Sequence, residues 1–169
     1  AKYFRHVRHF KHDEEIFLWD KDVMFFPRKI NGKLAFLHRI RPGIQLVLIN
    51  NLEELTKEFW SEYFLHFNEH IILDPKGTNH ESGFIGGGCP PIETELGWLL
   101  IYHGVFDTSE GYIYSATAAL LDIDNPTKVI ARLVDPLFVP ELDYEKNGVV
   151  SNVVFPTGTS LFNDTLYIY

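Results

Sequence analysis

Two apolar-rich runs, residues 23–30 and 33–40, are separated only by Asn31-Gly32, and no other short stretch constrains the chain as tightly. A two-residue hairpin loop of type I′ needs positive φ at both central positions, because only that turn matches the right-handed twist of the strands it joins. Asparagine and glycine accept positive φ with the least strain, so the pattern predicts a tight β-hairpin. Pro42-Gly43 then reads as a turn feeding a further strand over residues 44–49.

The period changes after that strand. Leu52, Leu55, Phe59 and Tyr63 recur at three- and four-residue spacing with Glu53, Glu54, Lys57 and Glu58 between them, which is the pattern of a short amphipathic helix. Trp60 and Phe64 widen the apolar face, so an irregular segment lying over a sheet edge is the competing reading. Further on, residues 97–106, 112–121, 128–133, 149–155 and 166–169 are β-prone runs set apart by Gly, Pro, Asn and Asp. Short strands at such intervals predict an all-β fold: a sandwich, a barrel or a propeller. Alternation is blurred over residues 98–102, as expected for a strand covered on both faces. The last run stops at Tyr169 inside an apolar strand, and such an edge predicts a chain cut short there. The aromatic-rich opening at Ala1 points the same way.

With 46% hydrophobic residues in 169, the chain has the material for one ordinary core. Its net charge of -8, with Lys and Arg scattered, argues against nucleic acid as partner, because phosphate-backbone binding needs a concentrated basic face. No run approaches the roughly eighteen apolar residues that would span a bilayer, so no membrane partner is expected. The single cysteine, Cys89, forms no intrachain disulfide; a cytoplasmic location is expected, with the periplasm as the alternative.

Several residues invite a chemical role. His6, His9 and His12 suggest a metal site, but three-residue spacing spreads them over different faces of a helix or strand, so a solvated basic segment and no metal is the expectation. Gly86-Gly87-Gly88 precedes Cys89-Pro90-Pro91, which excludes a nucleotide P-loop and suits close approach of the backbone to something flat and hydroxylated, such as a sugar. Cys89 reads as a small buried residue and not as a nucleophile. His103 ends an apolar run and must find partners or an opening. Arg39, beside His38, emerges from another apolar run and is either paired to a carboxylate or waiting for an anion. Glu81 and Glu93 flank the glycines; two carboxylates around a turn can serve as acid and base, and surface solvation is the default for both. From these residues alone the reading stops at an all-β domain with an uncommitted cleft.

Four stretches taken together resemble glycoside hydrolase family 130. They are residues 20–27 (DKDVMFFP) with 29–33 (KINGK) and 37–39 (LHR); 85–94 (IGGGCPPIET) with 97–105 (GWLLIYHGV); 118–122 (AALLD) with 125–132 (NPTKVIAR); and 152–158 (NVVFPTG). Their order and spacing match as well, and they cover nearly all of residues 20–169. The resemblance implies a five-bladed β-propeller, of which this chain is an incomplete fragment supplying the later blades, truncated at both ends. The family's Glu-Asp-Pro-Arg stretch, whose aspartate is the general acid, is expected before Ala1, and its Tyr-Gly-Ala-Ala-Asp stretch after Tyr169.

The resemblance further implies inverting phosphorolysis of β-mannosidic bonds in oligosaccharides, with inorganic phosphate as co-substrate and no cofactor. Arg39 and His103 match the family's phosphate-binding positions, and Lys21 stands where an arginine is often found. Phe84 departs from the pattern, since a lysine usually occupies that position in the phosphorylases. An inverting β-mannoside hydrolase of the same fold, with Glu81 or Glu93 as base, is the alternative; a non-catalytic, sugar-binding half-propeller is the third reading.

Overall fold

The computed structural model describes residues 19–77 and 80–169, so His6, His9 and His12, and the metal reading weighed for them, lie outside the described residues. Strands β1 (Asp20–Phe25), β2 (Leu34–Ile40), β3 (Ile44–Ile49) and β4 (Ile71–Leu73) form one antiparallel sheet in the order of the chain. The hairpin predicted between the first two is present. Asn31 and Gly32 have φ of 50° and 80°, and Ile30 and Lys33 exchange both backbone hydrogen bonds at 2.9 and 3.0 Å. Regular pairing in β1 ends at Phe25, shortly before Pro27, which has no N–H to donate to the ladder.

Strand β2 is apolar on both faces because both are covered. Ala35 and Leu37 belong to the core shared with a second sheet, whereas Phe36 and Ile40 belong to a core closed by a helix. That helix, α1 (Lys57–Leu65), settles the reading of the 51–64 segment. Asn51 Oδ1 accepts from Glu53 N at 3.0 Å to start a 3-10 turn over Leu52–Glu54, and Thr56 Oγ1 then caps α1 by accepting from Phe59 N at 3.2 Å. The chain from α1 onward buries Tyr63 and Phe67 against Phe36, Val47 and Ile49. Each such side chain contributes on the order of 1.5–3 kcal/mol, which fixes the segment over the sheet more firmly than helix propensity does.

The second sheet is built from β5 (Phe84–Gly87), β6 (Ile92–Thr94), β7 (Gly97–Thr108), β8 (Gly111–Leu121) and β9 (Val129–Arg132). Its order is β5-β7-β8-β9, with β6 paired to the first residues of β7 and β5 to later ones. Trp98, Leu100 and Tyr102 of β7 and Ala119 and Leu121 of β8 face Leu37, Ile44 and Leu46 of the first sheet. Ile85 N donates to Pro42 O at 2.8 Å, so the backbones of the two sheets also touch directly.

Residues 149–155 do not form the strand expected of them. After the short helix α2 (Asp143–Lys146), this stretch runs irregularly and joins β8 through a parallel bridge, Tyr114 to Val153, with the Phe155 ring beside that of Tyr114. Its β-branched composition is overridden because Val149 and Val150 find no core to enter and stay exposed. The last two strands, β10 (Thr159–Phe162) and β11 (Thr165–Ile168), pair with each other around Asn163-Asp164, both at positive φ. Among the described residues no helix is long and apolar enough to cross a membrane.

The hairpin geometry makes Gly32→Val a direct probe. A β-branched side chain held at φ 80° should lower the unfolding free energy by about 1–2 kcal/mol in urea denaturation. Asn31→Gly, by contrast, should change it by no more than a few tenths of a kcal/mol.

Candidate functional site

Strand β5 carries the glycine run, and what those glycines admit is the protein's own side chains. A Cβ on Gly86 would collide with Asp22 Oδ2, His103 Cε1 and Arg39 Cδ; one on Gly87 would meet Met24, and one on Gly88 the carbonyl of Pro156. The sequence-based expectation of a sugar against these glycines is therefore corrected. Removing the Cβ lets β1, β2 and β7 close their side chains over β5.

Three chain segments meet over Gly86. Strand β2 sends His38 toward α1, where Nδ1 pairs with Asp20 at 2.8 Å and Nε2 with the Tyr63 hydroxyl at 2.8 Å; the next residue, Arg39, points to the opposite face. Arg39 Nε donates to Asp22 Oδ2 at 2.6 Å, with both side chains largely buried. No other hydrogen bond of this guanidinium is found among the described residues. Asp22 reaches Arg39 through a bulge: the β1–β2 register slips between Lys21 and Met24, and Asp22 takes φ 59°. A β-bulge re-aims a side chain in this way, at the local cost of a positive φ at Asp22.

His103, directly opposite Gly86 in the β5–β7 register, is 1% exposed; neither ring nitrogen makes a well-formed hydrogen bond among the described residues, although the Gly87 backbone is close enough to favour the protonated ring. Its ring lies 4.2 Å from that of Phe155. Burial, reinforced by the positive charge of Arg39, pushes its pKa down to about 3, so the imidazole is neutral and offers one N–H donor and one acceptor.

Of the three residues expected to converge, Arg39 and His103 lie together over Gly86 and Lys21 does not. Lys21 pairs with Arg39 in the strand register but is exposed, with its ammonium over the Trp19 ring, 4.7 Å from the centroid. Phe84 is buried, and its ring is approached by two guanidiniums, Arg41 at 3.6 Å and Arg39 at 5.3 Å from the centroid.

The carboxylates proposed as bases are both engaged. Glu81 is 3% exposed; it accepts from the Tyr102 hydroxyl at 2.7 Å and from Lys76 N at 3.2 Å, and it forms an ion pair with Arg132. Arg132 in turn donates to the Tyr102 hydroxyl and to the Asp74 carbonyl, both at 2.7 Å. This is a closed network that ties the 74–81 loop to β7 and β9. Glu93 sits at the surface in a bidentate pair with Arg28, at 2.8–3.0 Å. The two carboxylates therefore stand in separate ion pairs, and neither is presented as an unpaired base. Cys89 is fully buried, and burial raises its thiol to about 11, which keeps it protonated.

Asp22 and Arg41 are the residues that sequence reasoning missed. Asp22 lies inside a motif that was read without assigning it a role. Arg41 lies two residues beyond Arg39, a spacing that returns a strand side chain to the same face, and that was the signal available.

A family model described as beta-1,4-mannooligosaccharide phosphorylase, of the glycoside hydrolase 130 family, matches residues 1–169. A 1,2-beta-oligomannan phosphorylase of a Thermoanaerobacter species is 41% identical over 150 residues, covering 89% of this chain and 46% of the relative. A beta-1,4-mannooligosaccharide phosphorylase of Ruminococcus albus is 36% identical over 157 residues, covering 90% and 44%. Among solved structures, the beta-1,2-mannobiose phosphorylase of Listeria innocua in complex with beta-1,2-mannobiose matches with TM-score 0.74 and 39% identity, covering 89% of this chain and 40% of that one. The chain spans less than half the length of these relatives.

Two measurements test the site as described. Because the His103 pKa is lowered on folding, the unfolded chain takes up a proton below pH ~6.5 that the folded chain refuses until about pH 3. Stability from this group is complete above pH ~6.5 and is lost on acidification at up to about 1.4 kcal/mol per pH unit. The slope of unfolding free energy between pH 7 and 5 should be shallower in His103→Gln by about that amount; equal slopes would show an ordinary histidine. Glu81→Gln should cost about 3 kcal/mol in chemical denaturation, since it leaves Arg132 without its buried counter-charge.

Proposed function

This chain belongs to glycoside hydrolase family 130, the family of the β-1,4-mannooligosaccharide phosphorylases, and from that premise we propose that its protein cleaves β-mannosidic bonds by inverting phosphorolysis. The observation that supports the proposal is the convergence over Gly86 of Arg39, which spends only Nε on Asp22, and neutral His103, whose ring nitrogens make no well-formed hydrogen bond among the described residues. A buried imidazole left so poorly satisfied is costly in a finished core, and an anion that accepts from it lowers that cost. Inorganic phosphate fits, because a guanidinium edge and an imidazole N–H together supply several donors to one tetrahedral oxyanion.

The reaction follows from that placement. A phosphate oxygen, held beneath the sugar, attacks the anomeric carbon from the face opposite the leaving oxygen. The glycosidic C–O bond breaks as the new C–O bond forms, and a carboxylic acid gives its proton to the departing oxygen. The products are α-mannose 1-phosphate and a sugar shortened by one residue. Glu81 and Glu93, being ion-paired, are not that acid; the family's Glu-Asp-Pro-Arg aspartate is the candidate. Their pairing also weighs against hydrolysis, which needs an unpaired base to activate water. The fold proposed for the whole protein is a five-bladed β-propeller, with the β1–β4 meander as one blade and the β7–β9 meander, edged by β5 and β6, as another.

The protein expressed from its complete reading frame, given β-1,2- or β-1,4-mannobiose, should release α-mannose 1-phosphate only when phosphate is present. Arg39→Ala should slow phosphorolysis about 10²-fold, as is typical for loss of one donor to developing charge. Free mannose released at the same rate without phosphate would reject the proposal in favour of hydrolysis, and no cleavage of any mannoside would leave a sugar-binding role.

A further inference from the structure

The charges over Gly86 do not add up to an anion site from Arg39 and His103 alone. Arg39 is matched by Asp22 at 2.6 Å, so that pair carries no net charge, and His103 is neutral. Lys21 rests on Trp19, and Lys76 donates its ammonium to the carbonyl of Leu133. The remaining cation is Arg41, which has no carboxylate partner among the described residues and lies 3.6 Å from the centroid of the Phe84 ring. Arg39 is 5.3 Å from the same centroid, and the charges of both arginines reach the His103 ring.

We infer that Arg41, whose side chain is exposed, is a second phosphate-binding cation at this site and that Phe84 positions it, holding the guanidinium by its ring face near Arg39 and His103. The inference rests on the reading of the pocket as a phosphate site and adds the source of its net positive charge. An aromatic face suits that task better than a carboxylate. It attracts the cation without neutralising it, and it leaves the in-plane N–H groups of the guanidinium free to donate to phosphate oxygens. The platform is itself fixed: Phe84 is buried, and Tyr112 and Tyr114 pack against its ring at 85° and 78°, with centroids 5.7 and 6.1 Å away. Val105 pairs with Phe84 along the β5–β7 ladder, two residues from the Gly86–His103 pair, so platform and pocket belong to one stretch of β-sheet.

The test uses the complete protein and reads orthophosphate binding by calorimetry alongside the KM values for phosphate and for mannobiose. Arg41→Ala should weaken phosphate binding and raise its KM at least about tenfold, the usual loss for a donor to a charged acceptor, while the KM for mannobiose stays within twofold. Phe84→Leu keeps the apolar bulk but removes the ring face, and it should weaken phosphate binding about threefold or more. In the Arg41→Ala background the same change should have a smaller effect, because Arg39, 5.3 Å from the ring centroid, is directed by its ion pair with Asp22 and the cation that the ring alone holds is gone. Melting temperatures within a few degrees of the parent exclude misfolding as the cause, and Arg41→Lys, which keeps charge but not the planar fork, should recover only part of the binding. Unchanged phosphate binding in Arg41→Ala, or an equal rise in both KM values, would overturn the inference even if phosphorolysis is confirmed. Conversely, an enzyme that hydrolyses mannobiose yet binds phosphate through Arg41 would overturn the phosphorylase reading and leave the inference standing. Absence of phosphate binding by the parent protein would overturn both.

Discussion

The Arg39–Asp22 ion pair, packed over a glycine between two sheets, is the contact on which the rest of the site depends. A salt bridge this far from water is weak evidence of stability, since removing two charges from water costs about as much as their attraction returns. What it contributes is position. It needs a bulge in β1 to aim Asp22, a glycine at position 86 to admit both side chains, and β7 alongside to bring His103 within the same space. Each requirement falls on a different segment, so forming the pair fixes the relation of β1, β2, β5 and β7 to one another. Replacing Gly86 with alanine would disturb all of these at once.

Much of this was legible in the sequence where the signal is local. Asn31-Gly32 specifies its turn through backbone sterics alone, and the spacing of Leu52, Leu55, Phe59 and Tyr63 offered the helix that the structure places over residues 57–65, beside an irregular alternative. The misses share a physical origin. Residues 149–155 have strand composition, but only 152–154 reach a sheet, where they bond to Tyr114, and β5 gave no strand signal because two of its four residues are glycines without the side chains from which strands are recognised. In the site, Arg39 and His103 announced themselves as polar residues ending apolar runs. Asp22 did not, because a bulge shifts the register that would have paired it with Arg39. Glu81 looked like a surface carboxylate until the fold brought Arg132, fifty-one residues away in sequence, against it.

Phe84 shows how a substitution that looks like a loss in sequence becomes a gain in three dimensions. As a residue type it has no charge to offer an anion, and the family resemblance places a lysine there. In the folded chain it is a surface on which two arginines rest. The same device recurs elsewhere: Arg28 lies 5.0 Å from the Trp98 ring centroid and Arg132 5.5 Å from that of Tyr102, although both also have carboxylate partners. Arg41 differs in having the ring alone. In a chain with a net charge of -8, a cation kept on an aromatic face and away from carboxylates is the kind that retains a field for a bound anion.

Under the proposed phosphorolysis, the neutrality of His103 would have a catalytic consequence. A charged imidazole beside two arginines would hold ground-state phosphate more tightly, and tight binding that is the same before and during the reaction does not speed it. A neutral imidazole is held neutral by burial and by the arginines, and it still donates one N–H. In the proposed reaction the attacking phosphate oxygen gives its charge to the anomeric carbon and the remaining charge stays on the other three oxygens, so donors directed at those oxygens matter more than total charge. Arg39 is directed by Asp22, Arg41 by Phe84, and His103 by its place between Phe155 and the Gly86 backbone. A pocket whose donors are each fixed by a separate neighbour does not have to reorganise as the charge shifts, and this is where preorganised sites lower a barrier.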